Sequence, residues 1–306
     1  MAAHDGSNAA SGTPRGGLTL VGTPIGNLGD LSPRAVEALR AAHTVCAEDT
    51  RVSGKLLAAF GIDARFERCD ENVIAAKAPQ LVERMLAGEQ VALVSDAGMP
   101  AVADPGARLV DACLDAGVPV DVIPGPSAVT CAIASVGFAC ESFYFGGFLP
   151  RKDAERDRLL SSLALLPAVL AFYESPHRAA ASLAAIARVF PERRAAFARE
   201  LTKLHQEVLR APAAELAQMV AERGELKGEF VLLVDAPSPE ERDRIRRAQV
   251  AGVGMPQLAA EFDLDEAIRA GLAAGKHKSA LAKELAAVSG TKRSEVYDRI
   301  QELASE

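Results

Sequence analysis

LVSDAGMPAVADPG, Leu93 to Gly106, decides how the chain folds. An unbroken apolar run reads as a buried strand. It ends in Ser95-Asp96, passes through small residues and prolines, and reaches Asp104-Pro105. That last step is an N-cap residue followed by Pro at the first helical position. The same strand–loop–helix grammar recurs in LVGTPIGNLGDLSP (Leu20 to Pro33), DVIPGPSAV (Asp121 to Val129) and LAFYESPHR (Leu170 to Arg178). Ser32-Pro33 and Ser175-Pro176 supply matching helix starts. In open α/β sheets ligands bind beyond the carboxyl ends of the strands. These Gly-, Pro-, Ser- and Asp-rich loops therefore predict a backbone-lined site for a polar small molecule.

Outward from these turns, strand-like runs fall at Leu18–Val21, Thr44–Ala47, Val91–Val94, Val120–Ile123, Phe143–Phe145, Val169–Phe172, Ala195–Ala198 and Phe230–Val234. Helix-like runs lie between them, among them Pro33–Ala42, Pro105–Ala116, Pro176–Phe190 and Pro212–Glu222. Alternation of this kind means an α/β protein. The 306 residues are too many for one ordinary domain. GGFLPRKDAERDR (Gly146 to Arg158) is the best boundary, with APSPEER (Ala236 to Arg242) as a second linker. The expected plan is a disordered tail 1–17, α/β domains 18–145 and 146–236, and a helical C-terminal segment 237–306. Within the last, Ser279 to Leu303 reads as a helix, a Ser-Gly turn and a second helix.

Composition bounds the function. Apolar residues make up 49% and charged residues 25%, a globular balance. Net charge is −7, so the surface as a whole does not attract nucleic acid, although RIRR (Arg244 to Arg247), KHK (Lys276 to Lys278) and TKR (Thr291 to Arg293) are basic knots or solvated helix faces. Aromatics at 5% argue weakly against base stacking as the main recognition mode. The five cysteines form no C-x-x-C pair and stand near no His cluster, which disfavours zinc or a disulfide framework and suits a reducing cytoplasm. Cys46, Cys113 and Cys131 are expected in the core. No run is long enough to span a bilayer, and residues 1–17 lack the apolar stretch of a signal peptide.

Several motifs carry chemistry. Thr23-Pro24 stands where G-x-G-x-x-G needs its second glycine, and no Gly-Lys-Ser/Thr follows, which disfavours a nicotinamide or nucleoside triphosphate site. In SDAG, Asp96 can accept from hydroxyls or an ammonium, and Ala97 and Gly98 let a ligand approach the backbone. Asp104 reads as an N-cap. Ser127 of PGPSA caps a helix or touches ligand. EDTR (Glu48 to Arg51) crowds charge at a strand end, with capping by Asp49 or Thr50 as the plainer role. YESPHR offers Glu174, His177 and Arg178, and ARELTK (Ala198 to Lys203) offers Arg199, Glu200, Thr202 and Lys203.

Taken in order, GTPIGNLGDLSPRA (Gly22 to Ala35), AEDTR (Ala47 to Arg51), ENV (Glu71 to Val73), SDAGMPAVADPG, PGPSA, GGFLPRK (Gly146 to Lys152), FYESPHR, ARELTKLHQE (Ala198 to Glu207) and KGEFVLLV (Lys227 to Val234) resemble the tetrapyrrole methylase superfamily. Within it they are most similar to the ribosomal RNA 2′-O-ribose methyltransferases. The resemblance implies two α/β domains with S-adenosylmethionine in the cleft between them, usually in a homodimer, and no membrane or metal. It implies methylation of a cytidine in the decoding region of 16S rRNA in the small ribosomal subunit. Carried over by position, Pro24, Asp96, Ala97, Gly98, Ser127, Ala128, Phe172 or Tyr173, Ala198 and Gly228 would hold the cofactor. The resemblance carries over no single base; from their place at strand ends, Asp49, Glu200 or Lys203 would take or relay the proton of the 2′-hydroxyl. Arg51, Arg178 and Arg199, with His177 beside them, would meet the RNA. Two rivals stand: a tetrapyrrole methyltransferase, and a non-enzymatic RNA-binding or ribosome-assembly module.

Overall fold

The computed structural model describes residues 16–104, 106–224, 226–250, 264–273, 275–289 and 292–304. Pro105, Thr291 and most of the expected tail lie outside these. The chain divides into two compact units, 1–128 and 129–306.

The first unit is a five-stranded parallel sheet in the order β3-β2-β4-β1-β5. Its strands are β1 (Gly17–Val21), β2 (Thr44–Ala47), β3 (Phe66–Arg68), β4 (Gln90–Val94) and β5 (Val120–Ile123). Helices α1 (Pro33–Ala41), α2 (Thr50–Ala59), α3 (Ile74–Leu86) and α4 (Ala107–Asp115) connect them. Strands buried on both faces must be apolar throughout. Leu18, Leu20, Cys46, Val91 and Leu93 pack on one face with residues of α3 and α4, while Val21, Val45, Ala47, Ala92 and Val94 pack on the other with α1 and α2. Because every strand is parallel, the loops after β1, β2, β4 and β5 emerge at one edge.

Helix starts partly match expectation. The Ser32 hydroxyl accepts from the Ala35 N–H and Pro33 sits in the first turn of α1. Asp104 does not cap α4: that helix begins at Ala107 behind Gly106, and the Asp104 carboxylate instead accepts from the Ser95 hydroxyl at 2.6 Å, closing the loop. Ser175 occupies the N-cap position of its helix without a side-chain cap bond. The tail also ends earlier than expected, since Gly17 is a buried residue of β1.

The second unit holds a mixed sheet in the order β6-β7-β10-β8-β9. Its strands are β6 (Phe143–Phe148), β7 (Val169–Glu174), β8 (Arg194–Arg199), β9 (Glu207–Pro212) and β10 (Phe230–Val234). β6 runs through the expected boundary at 145/146 and pairs in parallel with β7, so the first sheet is complete at β5. Helix α5 (Ala128–Val136) begins at the step between the two units, and α6 (Asp153–Ser162), α7 (Pro176–Val189) and α8 (Ala213–Ala221) accompany this sheet. Leu160, Ala179, Leu183, Ile186, Leu216 and Val220 from α6, α7 and α8 cover the face carrying Leu170, Phe172, Phe197 and Leu232. Strands β7 and β8 are each antiparallel to β10, so their C-termini and the start of β10 share one edge.

The C-terminal segment is helical: α9 (Pro239–Val250), α10 (Leu264–Ala273), α11 (Lys278–Ser289) and α12 (Arg293–Leu303). Ile245 of α9 joins the core of the second unit, and Glu241 accepts from the buried Arg193 at 2.6 Å. Ile268, Leu281, Leu285, Val296 and Ile300 form a separate apolar cluster. Much of the basic charge here is paired, Arg244 with Glu192 and Lys276 with Glu284. No helix among the described residues is long and apolar enough to cross a membrane. Cys46, Cys69 and Cys113 are buried, whereas Cys131, expected in the core, is only half-buried.

Candidate functional site

In the first unit four loops are tied into one body at the sheet edge. Gly22 N–H donates to the Ile123 carbonyl. A Cβ on Gly22 would lie 2.6 Å from Gly125 Cα, and one on Gly125 would lie 2.7 Å from Gly22 C, so the loops after β1 and β5 meet backbone to backbone. Thr23 and Gly98 exchange backbone hydrogen bonds, and the Thr23 hydroxyl donates to the Ser95 carbonyl at 3.1 Å. Asp49 N–H donates to Asp96 Oδ1 at 3.1 Å, which binds the loop after β2 to the SDAG loop. Ala101 and Ala103 hold positive φ values of 67° and 58° within that loop. Strain of this kind, on the order of 1–3 kcal/mol per residue, persists where the surroundings over-determine the backbone.

This edge is electronegative. Burial raises the Glu48 carboxyl above its ordinary range, and Asp96, Asp104, Asp70 and Asp49 add to the effect. Burial likewise raises Asp104, with Asp96 contributing, against the Ser95 hydrogen bond. Asp49 differs: the Arg51 side chain at 2.6 Å holds it far below the usual carboxylate range. Among the expected cofactor contacts, Pro24 and Gly98 are buried, Asp96, Ser127 and Ala128 half-buried, and Ala97 exposed. No group of acidic, His and Cys side chains suited to a metal occurs among the described residues.

The second unit gathers its own set. Glu174, Phe230, Arg199 and Glu207 stand side by side across β7, β10, β8 and β9. Past this row, Glu200 adopts φ +50° and Thr202 φ +67°. Glu200 Oε1 accepts from Lys203 Nζ at 2.9 Å and from Glu229 N–H at 3.0 Å. Gly228 holds φ +102°, a conformation that favours glycine, and a Cβ there would lie 2.6 Å from Glu200 Cδ and push the Glu200 carboxylate aside. Burial raises the Glu200 carboxyl, but Lys203 and the Glu229 N–H outweigh it and leave a net lowering. Lys203, opposed only by burial, is raised by Glu200 and Glu229. Glu200 and Lys203 thus neutralise each other as an ion pair.

Two residues expected at the cofactor are wholly buried: the Phe172 ring lies in the core and Ala198 on the opposite face of the same sheet. Tyr173, half-buried, turns its ring to Phe145 and Phe148 at centroid distances of 4.8 and 5.7 Å. His177 is exposed in the first turn of α7. Arg51 is exposed and pairs with Asp49. Arg199 Nε lies 3.5 Å from Glu207 Oε2. Arg178, expected to meet phosphate, has other partners: Nη2 donates to the Leu149 carbonyl at 2.5 Å and approaches the fully buried Glu174 carboxylate at 3.2 Å. Glu48 and the Ser95–Asp104 bond carried no sequence signal beyond their charge and polarity.

The first unit is a parallel sheet packed on both faces whose C-terminal loops form an acidic, backbone-rich edge, and the second unit holds a mixed sheet. Residues 17–217 match the family described as Tetrapyrrole (Corrin/Porphyrin) Methylases, and the chain belongs to it. It is 44% identical over 232 residues to a Xylella fastidiosa protein named Ribosomal RNA small subunit methyltransferase I, covering 75% of this chain and 85% of that one. A Mesorhizobium japonicum protein of the same name is 40% identical over 292 residues, covering 94% and 92%. In fold, the chain is similar to uroporphyrin-III C-methyl transferase from Thermus thermophilus complexed with S-adenyl homocysteine, with a TM-score of 0.52 and 19% identity over 72% of this chain and 97% of that one.

Proposed function

We propose that this chain is an S-adenosylmethionine-dependent methyltransferase of small-subunit ribosomal RNA, transferring methyl to the ribose 2′-oxygen of a cytidine in the decoding region of 16S rRNA, and that it works as a homodimer. The observation that carries this is the 40% identity over 94% of the chain to a ribosomal RNA methyltransferase.

The residues fit the cofactor. Its sulfonium and ammonium are cationic, and the edge of the first sheet is lined by Glu48, Asp96 and Asp104 with few opposing cations. Asp96 would accept from hydroxyl or ammonium. In the first unit Pro24, Ala97, Gly98, Ser127 and Ala128 would line the approach; Tyr173, Gly228 and the backbone of Phe172 and Ala198 are the cofactor candidates within the second unit. When bound, the cofactor supplies a methyl that is already electrophilic.

The chain's own work is positioning and proton removal. Holding the ribose oxygen in line is the larger part. The 2′-hydroxyl is a weak nucleophile, so a base must take its proton during transfer. Asp49 and Glu200 are held in the anionic form by cations and are weak bases, and Lys203 is held protonated. Glu48 remains: half-buried, without a hydrogen bond or ion pair among the described residues, and with a raised proton affinity. It would receive the proton, while Arg51, His177 and Arg199 meet the RNA backbone. Glu48→Gln should lower kcat on the order of 10²–10⁴-fold and abolish the acid limb of the pH profile. Wild-type kcat would exclude Glu48.

The function itself is tested by offering labelled S-adenosylmethionine with small subunits lacking the modification, naked rRNA and a tetrapyrrole precursor. Label on RNA is expected. Label on the tetrapyrrole alone, or RNA binding with no transfer, would overturn the proposal.

A further inference from the structure

β6 is an edge strand, and its pairing with β7 is irregular between Phe145 and Phe148, at the Gly146-Gly147 step. Beyond that irregularity Phe148 is 58% exposed, an unusual position for a phenylalanine in a chain with only 5% aromatics. The ring is not loose. Tyr173 flanks it at 5.7 Å with planes inclined by 60°, and Phe145 flanks Tyr173 in turn.

The residues that follow are fixed by buried groups. Arg178 Nη2 donates to the Leu149 and Pro150 carbonyls at 2.5 and 3.2 Å. Glu174, buried, is held by the Ser182 hydroxyl at 2.5 Å and the Ser175 N–H at 2.8 Å, and it anchors Arg178. A loop built only to connect β6 to α6 needs no such lock. What the lock presents to solvent is Phe148 and, three residues on, the exposed Arg151. The acids of α6 are engaged: Glu155 by Lys152, Asp153 by Arg156, Asp157 by Arg188. Arg151 has no carboxylate partner among the described residues. An exposed aromatic face packed on Tyr173, three residues from a guanidinium with no carboxylate partner among the described residues, suits a flat, anionic ligand unit.

We propose that Phe148 is a stacking platform for one unpaired base of the RNA substrate, with Arg151 taking the adjoining phosphate. This rests on RNA being the substrate. A stacked aromatic tolerates any base, so the contact adds affinity and orientation rather than sequence choice.

The chain has no tryptophan, which makes a direct test available. Phe148→Trp would place one indole at this position. Its fluorescence should be quenched on titration with a single-stranded 16S fragment, and transfer should be retained. Phe148→Ala should raise the KM for small subunits by about ten- to a hundredfold, with S-adenosylmethionine affinity and melting temperature unchanged. Arg151→Ala should raise KM and flatten its salt dependence. Wild-type transfer to RNA, run alongside, keeps the functional reading separate. If wild type methylates RNA while Phe148→Ala keeps its KM, or the indole ignores RNA, the platform is refuted. A fall in oligomeric mass for Phe148→Ala would also refute it, assigning the ring to a contact with a second copy of the chain.

Discussion

Replacing Arg178 with Ala distinguishes a structural arginine from one that grips phosphate. The guanidinium is one-quarter exposed and the Glu174 side chain fully buried, 3.2 Å apart. Removing one partner of a buried pair costs about 3–5 kcal/mol, because the other charge is left uncompensated. Here Glu174 keeps the Ser182 hydroxyl and Ser175 N–H as donors, so the cost falls at the lower end, about 3 kcal/mol. Urea unfolding of Arg178→Ala, Glu174→Gln and the double variant reads this directly. The double variant should lose less than the sum of the singles, since it removes both charges and strands neither. The salt dependence of the KM for RNA should keep its slope. Were Arg178 a phosphate contact, stability would hold and the slope would fall by about one. That pair of results would refute the structural assignment.

Three further outcomes follow from the same packing. Gly22→Ala drives a methyl into the Gly125 backbone at 2.6 Å; overpacking should cost about 1–3 kcal/mol in thermal unfolding and weaken S-adenosylmethionine binding measured by calorimetry. Thr202→Gly relieves a β-branched residue at φ +67° and should gain about 1 kcal/mol of stability in a melting experiment. Glu89, hydrogen-bonded by Arg84 and Thr44, has its carboxyl pulled from 4.5 to about 2. A depressed carboxyl stabilises the fold above its unfolded value and loses that contribution as protons bind the native state. Unfolding midpoints should therefore fall between about pH 4.5 and pH 2, and Glu89→Gln should flatten that fall.

Both sheets were legible where strands are central and apolar on both faces, as in β4 and β10. The two missed strands, FER of β3 and EVLRAP of β9, are edge strands. They carry charge and a terminal proline and need no continuous apolar run. The domain step near Gly146 misled because paired glycines mark an irregularity inside β6 as readily as a linker. The loops SDAG, PGPSA and ARELTK were visible as places, and the structure gathers them at sheet edges. Their chemistry was not visible. Whether Asp49, Glu200 or Lys203 can act as a base depends on the cations beside them. Arg51 follows Asp49 in sequence, but the Glu200–Lys203–Glu229 group is assembled only by the pairing of β8 with β10. Glu48 was visible as one charge among several, yet that no described cation pairs with it is a property of the fold.

Methyl transfer to a ribose oxygen of small-subunit RNA leaves a chemical mark that survives hydrolysis of the chain. Small subunits lacking the modification, labelled by this protein and digested with alkali, test it most directly. A 2′-O-methyl group removes the nucleophile that alkaline cleavage requires, so label should survive in an alkali-resistant dinucleotide beginning with cytidine. Label released in mononucleotides, on a base, would contradict the ribose chemistry, and absence of label from RNA would contradict the enzyme class.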